Sequence, residues 1–371
     1  MEVLLNLSNS SVYRRPFSDV SMIVTSSILL PLCAFGIVAN LITMSVIAKS
    51  EKLKTTFNYM IMSLCVSDLM SAMISPLFLY RRTWGFDEWN ASGFMCKLIW
   101  AVDIWTSYVT STHILLFAVI RFISVKWPAV YYKIKSIHVK ATIATIWFAT
   151  FFIGFVPFII WFESKTRDRQ SDAVDAKWPA CTLSIEWVSA FRLYSVVAYS
   201  IMYYFPMLML LVLSIAITYV LFDKRKRRES IIGRAGSSPQ RQPRARLEAR
   251  RRTKENQIML QLGLIVGSFF AGYLPQTAYH FYTTGATPQT YQAKKLDWTI
   301  GIGTYICLRV SECLNPIFYN LASRKMRHET VSVLCKCCAR PFTSKSRVST
   351  SQATPKSSLP LASQSRDALE M

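Results

Sequence analysis

Long apolar runs alternate with short polar gaps along this chain, and seven runs stand out, at about 20–48, 56–80, 96–124, 138–162, 189–222, 256–283 and 297–320. Each is long enough to cross a bilayer as a helix, since a hydrocarbon core of ~30 Å takes about 20 residues at ~1.5 Å each. In lipid every backbone N–H and C=O must be satisfied within the segment, so helices are expected rather than open strands. The pattern predicts an all-α membrane protein with four parts. An extracellular N-terminus covers 1–19 and a seven-transmembrane helix bundle 20–320. A short amphipathic eighth helix with an acylation cluster covers 321–338, and a disordered cytoplasmic tail 339–371. No cleavable signal peptide is evident, so the first run is expected to act as its own insertion signal.

Composition sharpens the picture. The 371 residues are 52% hydrophobic with mean hydropathy +0.27, which argues against a set of soluble domains. A formal charge of +22 could suggest nucleic acid, but the basic residues gather in alternate gaps and no stacking motif accompanies them. Lys49, Lys52 and Lys54 follow the first run, and Lys126, Lys133, Lys135 and Lys140 the third. Thirteen basic residues lie between Lys224 and Lys254, in a loop at about 223–254 whose ends continue the helical pattern around a flexible linker. The other gaps hold fewer: Arg81 and Arg82, four basic residues in about 163–188, and Lys294 and Lys295. The positive-inside rule therefore puts the N-terminus outside. Glycosylation acceptors at Asn6, Asn9 and Asn90 all fall on that side.

Charges within the runs mark candidate chemistry, because they are costly there. Asp103 and Arg121 lie 18 residues apart in the third run, about 27 Å along a helix, so they belong near opposite surfaces. A buried carboxylate toward the outer side suits a ligand ammonium. Trp100, Tyr199, Tyr273 and Tyr305 could offer aromatic faces to the same cation. The competing reading is an internal salt bridge. Arg309 and Glu312 are three residues apart on one helical face and could pair with each other.

The nine cysteines divide by place. Cys33, Cys65, Cys307 and Cys313 lie in apolar runs and read as small hydrophobes. Cys96 and Cys181 lie in or beside outer loops, in the oxidising compartment, and are candidates for a disulfide. Cys335, Cys337 and Cys338 follow the last span, where palmitoylation is expected. Other function classes lack support. A transporter needs paired polar sites in inverted repeats, and none are seen. An enzyme needs a nucleophile with a base, and His113, His138, His280 and His328 are scattered without partners.

Each run also carries one mark. These are Asn40 in GIVANLI, Asp68 in SLCVSDL, Cys96 ahead of Asp103 and Arg121, Trp147, Pro206 in YYFP, Pro275 in FFAGYLP, and Asn315–Tyr319 as NPIFY. In that order they resemble the rhodopsin-like (class A) family of G-protein-coupled receptors over about residues 20–338. The resemblance implies a plasma-membrane receptor that binds a small extracellular ligand and activates a heterotrimeric G protein through the inner ends of helices three, five and six. Arrestin and receptor kinases would act on the Ser/Thr-rich tail. The resemblance also implies a Cys96–Cys181 bridge, and a sodium site at Asp68, Thr110, Ser311 and Asn315 with no other cofactor. The switch residues would be Arg121, Glu255, Asn315, Pro316 and Tyr319.

Within the family, the stretch around Asp103, with Tyr305, is similar to the amine receptors of the muscarinic and histamine group, which makes a biogenic amine the expected ligand. Three departures qualify this. Arg309 stands where retinal-binding relatives carry a Schiff-base lysine, and there it would face Asp103 and could cancel it. Met202 and Ala198 replace the serines of catecholamine receptors. Ile120-Arg121-Phe122 replaces Asp-Arg-Tyr, so the adjacent acid is missing and Glu255 is left as the expected partner of Arg121. The alternative expectation is a receptor with raised basal activity whose ligand is an acid, lipid or peptide.

Overall fold

The structure, a computed structural model, describes residues 14–164, 180–234, 241–285 and 290–338. Its helices follow the apolar runs. They are α1 (Asp19–Lys49), α2 (Thr56–Arg82), α3 (Gly93–Lys126) and α4 (Ser136–Trp161). Next, α5 runs from Val188–Tyr199 through one π-turn, Ser200–Tyr204, into Phe205–Arg234. The last three are α6 (Arg241–Gly285), α7 (Tyr291–Ala322) and α8 (Arg324–Cys338). Five of them start on a hydroxyl cap, α8 on Ser323, which accepts from the Met326 N–H. Ser18, Thr55, Ser92 and Thr290 each accept the backbone N–H three residues on, satisfying a donor the helix cannot.

Helix α3 packs against α2, α4, α5 and α6 and is buried along most of its length. Helices α1 and α4 lie at the periphery, with Ile23, Val24, Phe148 and Phe152 turned outward, as lipid-facing surfaces require. Two prolines show how the bundle satisfies broken helical bonds. Pro157 lacks the N–H that would bond Ile153, and the Tyr194 hydroxyl donates to that carbonyl at 2.8 Å. Pro206 likewise frees the carbonyl of Met202, which takes the Ser111 hydroxyl at 2.6 Å. Of the predicted spans, α7 is the least apolar. Six other helices are long and apolar enough to cross a membrane, and α7 falls short because Arg309 and Glu312 lie near its centre.

Three features go beyond the hydrophobic pattern. A two-stranded antiparallel hairpin, β1 (Phe162–Ser164) with β2 (Cys181–Leu183), covers the outer side of α3. Residues 14–18, just before α1, lie on the outer surface, where Phe17 stacks on Trp298 at 4.8 Å and meets Phe86 edge-on at 5.2 Å. Helix α8 starts two residues after α7, and Glu329 on it lies 3.7 Å from Lys52. The described residues up to Val333 form one compact unit, and 334–338 belong to a second.

Candidate functional site

The outer cover is fixed first. Cys96 and Cys181 are disulfide-bonded, with Cα atoms 5.5 Å apart, so β2 is tied to the first turn of α3. The hairpin register then lays Phe162 on Trp100, ring centroids 4.5 Å apart. The expected bridge is present.

Below this cover lies a charged triad. Arg309 donates from Nη2 to Asp103 and from Nη1 to Glu312, the latter at 2.6 Å. The sequence leaves these pairings as alternatives, and the structure makes both at once. Glu312 also accepts the Ser71 and Tyr273 hydroxyls, each at 2.6 Å. One guanidinium thus joins α3 and α7, and one carboxylate adds α2 and α6. Arg309 is 0% exposed, Glu312 2% and Asp103 4%, so little water screens these attractions. With both acids ionised, the triad holds two negative charges and one positive.

The expected aromatic faces are already occupied. The Tyr305 ring carries Arg309 at 4.6 Å and stacks on Phe78 at 3.8 Å. Trp100 carries Arg81 at 4.5 Å on its ring and Phe162 beside it. Tyr273 spends its hydroxyl on Glu312, and Tyr199 packs among Tyr203, His280 and Phe281. Beside the triad, Asp103, Ser107, Tyr203, Tyr273, Gln276 and His280 line a cavity of about 10 Å³, room for roughly one water and far below the ~300–1,000 Å³ of an ordinary ligand pocket.

The proposed sodium set is not assembled. Asn315 donates to Asp68 at 3.0 Å, and the other Asp68 oxygen is buried without a donor. Thr110, however, bonds Ser67 at 2.9 Å, and Ser311 bonds Ser268 at 2.9 Å. A hard cation needs several converging oxygens, and around Asp68 the expected ones turn elsewhere. The residues present do not fit the ion.

At the inner end, Arg121 lies over Phe57 at 3.9 Å and donates to the side-chain oxygen of Gln261. Glu255, its expected partner, binds Arg228 on the inner extension of α5. The reason is depth. Gln261 is six residues further along α6 than Glu255, about 9 Å deeper, which is where Arg121 reaches. Nearby, Asn315 and Pro316 are buried, and Tyr319 is buried with its hydroxyl unpartnered.

A family model for the 7 transmembrane receptor (rhodopsin family) matches residues 39–319. The chain belongs to that family. It is a receptor of the plasma membrane that crosses the bilayer repeatedly, signals through a heterotrimeric G protein and is not an enzyme. Growth hormone secretagogue receptor type 1 of Sus scrofa is 26% identical over 79% of this chain and 75% of its own. Somatostatin receptor type 4 of Rattus norvegicus is 23% identical over 82% of this receptor and 71% of its own length. The octopamine receptor Oamb of Drosophila melanogaster is 29% identical, but over 34% of this receptor and 20% of its own length.

Some receptor residues escape sequence reasoning. Gln261 and Ser71 are ordinary polar residues in apolar helices, and only their neighbours give them roles. Arg81 and Arg82 read as loop charges, yet they are buried at the outer end of α2. Their adjacency to an apolar run is the signal that could have found them. Among modification sites, Asn90 and Cys335 are exposed. Asn6 and Asn9 lie outside the described residues, as do the side chains of Cys337 and Cys338.

Proposed function

We propose that this receptor is set off by an extracellular ligand other than a monoamine, and that it activates its G protein to a raised level without ligand. The observation that carries this is the contact of Arg309 with Asp103. The carboxylate that would hold an amine already holds a cation of the chain itself. A ligand ammonium would have to displace a guanidinium from a buried pair, and stranding such a charge costs about 3–5 kcal/mol. The occupied faces of Trp100 and Tyr305 point the same way. The relative named for an amine, octopamine, matches over a third of this chain. The missing acid beside Arg121 supports raised basal activity, since the arginine is held by an amide and a ring. Kinases and arrestin remain the proposed partners of the Ser/Thr-rich tail.

A second-messenger panel on the expressed receptor, with an amine library and an acid, lipid and peptide library, tests this reading. We expect basal signal above mock-transfected cells, no amine hits, and a non-amine response that Asp103→Asn leaves intact. An amine response abolished by Asp103→Asn would overturn the reading.

A further inference from the structure

The outer rim holds a cationic cluster that the triad does not use. Arg81 and Arg82 close α2 and are 5% and 8% exposed. Arg81 donates from Nε to the carbonyl of Cys181 at 2.7 Å, and its Nη1 is buried without an acceptor. Arg82 donates from Nη2 to the Tyr279 hydroxyl at 3.0 Å, and that hydroxyl donates to Asp297 at 3.1 Å. The Nε of Arg82 is also buried without an acceptor. Gly301 is what admits the Arg82 guanidinium, because a Cβ there would come within 2.6 Å of its Nη2. His280, which lines the cavity by the triad, lies within electrostatic reach of both guanidinium groups.

The charges do not close. Asp297 answers Arg82 through a tyrosine, and among the described residues no carboxylate pairs with Arg81. A carbonyl and the Trp100 face offset part of the cost of burying that cation, yet an unpaired buried charge stays expensive. Two arginines with spare N–H groups directed away from water suit an oxyanion, since the guanidinium fork matches carboxylate, sulfate and phosphate geometry.

We propose that Arg81 and Arg82 form an anion-binding site at the mouth of the bundle, which receives an acidic group of the extracellular ligand. The inference rests on the non-amine reading above and gives that ligand its chemical class. The group would settle between α2, α6 and α7, against the disulfide-tied strand β2 through Arg81.

The test uses the full chain, purified in detergent, with its melting temperature titrated against sodium acetate, sulfate and phosphate, and against sodium chloride at equal ionic strength. We expect a saturable rise with at least one oxyanion, and the strongest of the three tells carboxylate from sulfate and phosphate. Arg81→Gln and Arg82→Gln should raise the half-saturating concentration about 10- to 100-fold, the range for a lost charged hydrogen bond. Arg192→Gln, which changes an exposed arginine on α5, should leave it unchanged. Should Arg81→Gln fail to fold for want of its Cys181 contact, Arg81→Lys keeps the charge and loses the fork, and should still weaken binding. No saturable rise, an equal rise in chloride, or a rise indifferent to all of the rim variants overturns the site. An amine library in the same melting-temperature assay separates the two readings. A rise with amines that Asp103→Asn abolishes, beside an intact anion effect, overturns the non-amine reading alone, and the absence of both an amine effect and an anion effect overturns the site alone.

Discussion

Two arginines inside this bundle are held in opposite ways. Arg309, in the ligand half, touches two carboxylates and lies over Tyr305. Arg121, in the G-protein half, touches an amide and lies over Phe57, with no carboxylate partner among the described residues. A buried ion pair is hard to break because breaking it strands a charge in a poor dielectric. A cation on an amide and a ring gives up less. The receptor is therefore tied firmly at the level of its pocket and loosely where its partner docks. Opening of the inner ends, the usual two-state element of such bundles, meets less resistance here than release of the triad.

The largest effect should come from Arg309. Arg309→Met leaves Asp103 and Glu312 facing each other without a cation, a loss of about 3–5 kcal/mol, read as falls in surface expression and melting temperature. The triad has two acids and one base, so removing one acid leaves a neutral pair. Asp103→Asn or Glu312→Gln should each cost clearly less, and Asp103→Asn/Arg309→Met/Glu312→Gln together should recover most of the expression. Equal losses from all three single changes would mean that Arg309 does not bridge the acids.

Next in size is the cover of the ligand half. Cys181→Ala opens a bridge spanning 85 residues, and such a loss typically costs about 2–4 kcal/mol. Melting temperature should fall, and reducing agent should bring the wild type down to the variant. A wild type indifferent to reduction would show that the hairpin stays in place without its tether.

The same contrast decides what could be read from the sequence. Six spans are legible because apolar length is a one-dimensional signal, the seventh is weakened by Arg309 and Glu312, and the orientation is legible because lysines and arginines sort by side. The disulfide follows from family resemblance and compartment. What stays hidden is which polar groups meet across helices. Glu312 lies three residues from Arg309, so their pairing is visible, but its bonds to Ser71 and Tyr273 depend on how α2 and α6 pack. Thr110 and Ser311 have the right chemistry for a cation site, yet their hydroxyls find Ser67 and Ser268 first. Glu255 matches a family position and misses Arg121 by about two helical turns of depth. The hairpin β1–β2 is two short strands, too brief for a periodic pattern.

The smallest effect bears most directly on signalling, and it concerns the looser arginine. Gln261→Glu would place a carboxylate where Arg121 now meets an amide, while Gln261→Ala would remove the partner altogether. Partly exposed ion pairs are worth about 0.2–1 kcal/mol, and ~1 kcal/mol moves a two-state equilibrium roughly fivefold. Basal nucleotide exchange should therefore fall by up to about fivefold in Gln261→Glu and rise in Gln261→Ala. Glu255→Ala should change it less than either, because Glu255 spends its carboxylate on Arg228 and not on Arg121. Ile120→Asp, which returns an acid beside the arginine, should act in the same direction as Gln261→Glu. Measured at equal surface expression, exchange that ignores both changes at Gln261 but responds to Glu255→Ala would place the latch at the membrane edge, between α5 and α6. The inner half would then be held by a surface ion pair, and the contrast with the buried triad would be sharper still.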